Sequence, residues 1–351
     1  MRSTRCPLTS HAVFAATLSL CAYTHALAAQ GCEPIRFTTP VNLGGGGKAY
    51  QPGHEWEFTL AYRHLESGDW YVGSSQAPAL APFGTVPVFK IHTFVGDVSY
   101  SINDRLRVHF SIPFQQGTLT SLGADKAVHE QRATGVGDVS AEAESWLLDP
   151  RTHESGNVAI GLGVKAPTGS HTTPTHDPAA AAPNLPADQT IQPSDGGWAI
   201  LTQANAFRRV AMRTFVYGFG SYMISPRAQS DVARTPGVFW SVPDVYSARL
   251  GAAFDALDNS RLTLSLGGRI DGIPVHDLIG GGDDSTIKRT ARVIFVDPGL
   301  SFVAGHGRFT LSAPVRVSVN RVKSLYEIKT NGLNGGGFAN YLVFVSYSYR
   351  L

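Results

Sequence analysis

His109 and Ser111 stand two residues apart, a spacing that puts an imidazole base and a hydroxyl nucleophile on one side of an extended strand. Nucleophilic chemistry also needs a third group to orient the imidazole. No orienting asparagine is apparent on the neighbouring strand, and no GxSxG elbow occurs. His171, His176 and Asp177 could hold a metal, but they lie in a Pro/Thr/Ala-rich segment that reads as a solvated loop. Gly280–Asp284 lacks the further oxygen ligands of a calcium loop and reads as a turn. Gly44–Gly47 has no strand before it and no helix after it, so it is no phosphate loop. No cofactor and no metal site is expected.

A larger set of charges shares another property: each alternates with large apolar residues. Trp56, Phe58, Leu60 and Tyr62 face away from Glu57, Thr59 and Arg63. Leu106, Val108, Phe110, Ile112 and Phe114 oppose Arg107, His109 and Ser111. Leu262, Leu264 and Leu266 oppose Thr263, Ser265 and Arg269, and Phe309, Leu311, Val315, Val317 and Val319 oppose Thr310, Ser312, Arg316 and Asn320. With similar patterns at 89–102, 136–148, 157–167, 197–208, 212–224, 244–256, 290–304 and 338–351, the alternation predicts about twelve strands.

The joins between strands are alternately short and long. Short ones fall at 103–104, 149–156, 209–211, 257–259 and 305–306, and long ones at 64–88, 115–135, 168–196, 225–243, 271–289 and 321–337. That rhythm predicts an all-β, transmembrane antiparallel barrel, with short periplasmic turns and long extracellular loops. Only a closed sheet satisfies its backbone in hydrocarbon. The apolar face then points to lipid and the polar face to the lumen, because so many charges cannot fill a dry core. Pro113, Pro167, Pro226, Pro274 and Pro314 mark where the wall would hand over to loops, and Phe94, Tyr100, Phe215, Tyr217, Phe219, Tyr246, Phe254, Tyr341, Tyr347 and Tyr349 would meet lipid.

Strand parity gives the lumen-lining candidates: Asp97, Arg107, His109, Asp138, Glu142, Glu144, Lys165, Arg249, Arg269, Asp297 and Arg316. Facing acidic and basic residues would set a transverse field that orients polar solutes. The same charges could instead pair across neighbouring strands and brace or plug a narrow lumen.

Residues 1–29 read as a secretory signal: Arg2 and Arg5, an apolar run from Ala12 to Ala22, then small residues at Ala26–Ala29. Residues 30–54 read as a periplasmic lead-in or plug, and 55–351 as the barrel. Losing Arg2 and Arg5 takes the net charge from +2 to zero, so nothing in the charge points to nucleic acid, and no nucleic-acid partner is expected. Cys32 is then the only cysteine left, so no internal disulfide forms; its use as a lipid anchor is a minor alternative.

Gly135-Val-Gly-Asp-Val139, Gly161-Leu-Gly-Val-Lys-Ala-Pro-Thr-Gly169, Pro298-Gly-Leu-Ser-Phe302 and the aromatic tail from Tyr341 resemble a family of outer-membrane transporters named for the phenol meta-degradation pathway. The resemblance spans roughly residues 55–351. It implies passive uptake of small molecules, aromatic or hydrophobic ones among them, across a bacterial outer membrane. The tail resembles the last strand that outer-membrane insertion machinery recognises, with Leu351 where phenylalanine is commoner. His109 and Ser111 are similar to a pair in outer-membrane phospholipases of the same strand number, in which the pair faces lipid. Here Phe110 takes that face and turns both residues inward. A closed barrel with a structural or surface-interaction role is the remaining alternative.

Overall fold

The computed structural model describes residues 52–123, 125–175, 185–257, 261–280, 284–332 and 335–351. The signal reading, nearly all of the lead-in, and His176 and Asp177 lie outside them. Twelve staves form one closed wall: β1 (Trp56–Ser67), β2 (Val88–Ser101), β3 (Leu106–Leu122), β4 (Val128–Val136 continued by Val139–Trp146), β5 (Gly156–Ala166) and β6 (Ala199–Ala211). The rest are β7 (Thr214–Ile224), β8 (Val245–Asp255), β9 (Leu262–Ile273), β10 (Ala291–Ala304), β11 (Gly307–Ser312 continued by Val315–Arg321) and β12 (Tyr341–Arg350). Each pairs antiparallel with the next, and β1 pairs with β12, for example Leu60 opposite Tyr347. Closure pairs every stave on both sides at some point along its length, although the Val128–Val136 part of β4 pairs with β3 alone. Among the described residues no helix is long and apolar enough to cross a membrane.

Burial is inverted relative to a water-soluble barrel. Leu60 is 73% exposed and Leu250 72%, whereas Glu57 is 6% exposed and Lys165 fully buried. Such a surface is stable only against hydrocarbon.

Both interrupted staves break opposite a proline. β4 is interrupted at 137–138, where the Gly137 amide donates to the Pro113 carbonyl (2.8 Å). β11 is interrupted at 313–314, where the Ala313 amide donates to the Pro298 carbonyl (3.0 Å). A proline brings no N–H to the ladder, so the partner strand can part there.

Three expectations need correction. The long join expected at 115–135 is mostly strand, because β3 and β4 run on to a tip at 123–127; Pro113 therefore marks a break in the wall and not its rim. On β7 the parity is reversed: Phe215, Tyr217 and Phe219 are buried inward, while Val216, Gly218 and Gly220 face out. On β11 a register shift opposite Ile294 and Phe295 turns Val319 inward.

Candidate functional site

The barrel interior carries two polar groups on opposite arcs of the wall. On β1–β6, Arg107 donates to Glu144 (3.1 Å) and lies 3.8 Å from Glu57, which also accepts from Arg350 (2.8 Å). Register places Arg107 across from Glu144 and His109 across from Glu142. Gln203 donates to Glu142 and Glu144, and Asn205 donates to Glu144 (2.7 Å). Asp97 accepts from Ser111 (2.5 Å), and His109 Nδ1 lies 3.8 Å from it. Ser111 therefore donates to the aspartate and not to the histidine, so the two residues do not form the hydroxyl–imidazole pair that their spacing allows.

The second arc runs over β7–β10. Arg249 Nε approaches Asp297 to 2.9 Å, Arg269 Nε donates to both oxygens of Asp271 (3.1 and 2.9 Å), and Ser312 donates to Asp297 (2.6 Å). Buried aromatic side chains line this arc: Phe215, Tyr217 and Phe219 from β7 and Phe295 from β10. The Arg249 guanidinium lies 5.1 Å from the Tyr217 ring centre, and Arg269 4.9 Å from that of Phe344.

Asp138, Lys165 and Arg316 belong to neither arc; all three hold the long-loop end. Lys165 donates to Asp138 (2.9 Å) and to Asp195 of the 167–198 loop (2.6 Å), and Ser194 donates to Asp138 (2.6 Å). Ala187, Thr190, Ile191, Gln192 and Ser194 of that loop are completely buried. Gln115, on the inner face of β3, donates to the carbonyls of Ile191 (3.3 Å) and Gln192 (2.8 Å). Residues 187–195 thus run inside the wall. Gly117 makes room for it, since a Cβ there would come within 2.7 Å of Ile191 Cβ. Arg316 stacks on Tyr71 and bonds Asp69 and the Phe338 and Ala339 carbonyls, tying the 68–87 loop to the 322–340 loop.

Over these lie the remaining loops. The hairpin Gln229–Thr235/Val238–Ser241 packs Val232 and Trp240 on Ile287 and Tyr326. The short helix Leu325–Lys329 is closed by a Ser324–Glu327 capping box, and Glu327 also accepts from Arg321 (2.6 and 2.7 Å) and Arg289 (3.2 Å). His171, one of the candidate metal ligands, pairs with Asp231 (2.9 Å).

The 274–290 loop is clamped by Asp277, which accepts from Lys288 (2.6 Å) and from the Asp244 amide (2.9 Å). Burial pushes the Asp277 carboxyl up to about 6 from the ordinary aspartate value of 3.8. The folded loop therefore holds its proton where the released loop does not, so its stability falls as pH rises from about 4 through about 6 and is flat above. Proteolysis within 274–290 is expected to be faster at about pH 7 than at about pH 5, and Asp277→Asn should flatten that profile. An unchanged rate across this range in the unsubstituted protein would show that Asp277 is not the clamp.

The sequence pattern placed the charges on the inner face but not their grouping. It missed the partners Glu57 and Asn205, which the register between strands brings in, Asp195, which arrives on a loop, and Asp271, two residues along the same strand as Arg269. Alternation had already put Glu57 on the inner face with Thr59 and Arg63; what it could not supply was the pairing with Arg107 and Arg350.

No family model matches the chain. No curated protein matches it either. Among solved structures, an outer-membrane channel from Pseudomonas putida F1 superposes with a TM-score of 0.61 at 13% identity, covering 90% of this chain and 100% of that one. A FadL homologue of Pseudomonas aeruginosa gives 0.41 at 10% identity, covering 89% and 99%. The translocator domain of autotransporter NalP from Neisseria meningitidis gives 0.43 at 9%, covering 84% and 88%. The second and third likenesses are too loose to bear on function, and the first is one of architecture: the chain has the twelve-stranded barrel fold of an outer-membrane channel.

Proposed function

We propose that this chain is an outer-membrane channel for passive passage of small solutes, acting without cofactor and not as an enzyme. The observation that carries this reading is the inversion of burial in a closed barrel, with ion-paired charges inside and apolar side chains outside. Membrane lipid would be the partner of that outer face, and outer-membrane insertion machinery the partner of β12. Residues 1–29 would direct export and be removed, leaving 30–54 as a periplasmic lead-in. Aromatic or other hydrophobic compounds are the solutes that the resemblance in the sequence names, and the aromatic arc on β7–β10 offers them a surface.

The buried 187–195 segment favours a second reading, a barrel kept shut whose loops are the working part. Single-channel recording of the refolded protein in planar bilayers separates the two. Discrete openings, with ion selectivity that shifts in Glu142→Lys, are expected for a channel. A silent barrel would favour the loop-based role, and openings with unchanged selectivity would make Glu142 a purely structural partner of Gln203.

A further inference from the structure

Arg249 and Arg269 lie directly opposite each other on β8 and β9, and both point inward. Like charges across a strand pair repel, and a sheet keeps them only when something else holds them. Each side chain is at least 95% buried. Each has one resident carboxylate, which meets only the Nε edge: Asp297 for Arg249, without the alignment of a hydrogen bond, and Asp271 for Arg269. The outer Nη2 atom of each guanidinium is buried with no acceptor. Buried donors are ordinarily filled, and a guanidinium presents its donors as a planar fork matched to a carboxylate.

The surroundings restrict what could supply those oxygens. Phe219 stands opposite Arg249 on β7, and Phe295 stands opposite Arg269 on β10. Tyr217 and Phe344 lie against the two guanidiniums. Tyr217 fits there because Gly251 and Gly267 have no side chains; a Cβ at either would come within 2.9 Å of its hydroxyl. The polar fork therefore sits in a frame of four rings.

We propose that Arg249 and Arg269 bind a small carboxylate anion carried on a flat, apolar ring. The carboxylate supplies acceptors to the two unfilled Nη2 edges, and the ring stacks beside Tyr217 and Phe344. The resident Asp297 and Asp271 already balance the two positive charges, so binding draws on hydrogen bonds and stacking and not on net charge. Affinity on the order of millimolar follows, weak enough for the solute to leave again. The inference rests on the channel reading for the solute's route alone. Its test is binding to the detergent-solubilised barrel, so a failure to bind and a failure to conduct are separate results.

The probe is benzoate, titrated calorimetrically into the folded barrel, with benzyl alcohol to remove the paired carboxylate acceptors and acetate to remove the ring. Saturable benzoate binding is expected, with both comparison compounds weaker by about tenfold or more. Arg249→Gln and Arg269→Gln should each weaken benzoate by a similar factor, while Arg132→Gln, exposed on the outer part of β4, leaves it unchanged. Heat-modifiable migration on gels checks that each variant is folded. Absence of saturable binding, equal binding of benzyl alcohol, or unchanged binding in both folded arginine variants would overturn the proposal. Acetate binding as tightly as benzoate would overturn its ring requirement.

Discussion

Lys165→Met should free the 167–198 loop from the barrel interior while leaving the barrel itself intact. Lys165 is completely buried, and its ammonium is shared by Asp138 on the wall and Asp195 on the loop. Removing the cation leaves two carboxylates facing each other with little water, a loss of about 3–5 kcal/mol for a broken buried pair. The loop has the means to absorb that loss by leaving, whereas the hydrogen-bonded staves do not. Limited proteolysis should cut within 185–197 in the variant and spare it in the unsubstituted protein, and any conductance should rise. Adding Asp138→Asn and Asp195→Asn to Lys165→Met removes both stranded charges and should restore much of the protection. Equal protection in the single variant would show that Gln115 and the packing of Ile191 hold the loop without the ion pair.

Glu327→Ala is expected to loosen the outer cap by a similar amount. Glu327 accepts from both Arg321 and Arg289, and its carboxylate also closes the capping box of the Leu325–Lys329 helix. Burial, with Arg234 nearby, already pushes Arg289 down to about 9. Without Glu327 the two arginines lose the carboxylate they share, and the helix loses its reciprocal cap, which alone contributes about 1 kcal/mol. Together these exceed about 3 kcal/mol. Hydrogen exchange should speed up in 229–241, 284–290 and 325–329 together, because Trp240, Ile287 and Tyr326 form one cluster. Exchange on β1–β12 should not change. If only the helix responds, the loops are held separately and the cap is not a unit.

The wall was legible in the sequence because lipid and lumen demand opposite side chains at every second position. Glu55–Arg63 and Arg105–Phe114 carry that demand undiluted, and the strands there fall where the alternation puts them. Legibility failed where the outside ceases to be lipid. From Gln115 to Leu122 the outer positions turn to Gln116, Thr118 and Thr120, while Leu119 turns inward onto Ile191. The period persists but its sign reverses, so the segment resembles a loop. On β7, large residues alternate with small ones, and size was a misleading guide to lipid contact: Gly218 and Gly220 face out, and the rings fill the interior. The cap was out of reach for a different reason. Its contacts join Lys165 to Asp195 and Arg289 to Glu327 across loops that share no periodicity. Of the candidate residues, Asp138, Lys165 and Arg316 bond to loop residues, a grouping that strand parity does not carry.

The pairing of β1 with β12 also sets the order of events when the protein forms. Thr59 and Ser348, whose hydroxyls meet at 2.8 Å, are 289 positions apart in the chain. Every other seam in the wall joins neighbours and can form early, but this one waits for the last strand to arrive. Until then each partial sheet carries two open edges, both ready to pair with another chain. A barrel of this kind is therefore most vulnerable to aggregation just before completion. Lengthening the delay, for instance by weakening β12 at Tyr347 or Tyr349, should lower the yield of refolded protein far more than it lowers the stability of the finished one.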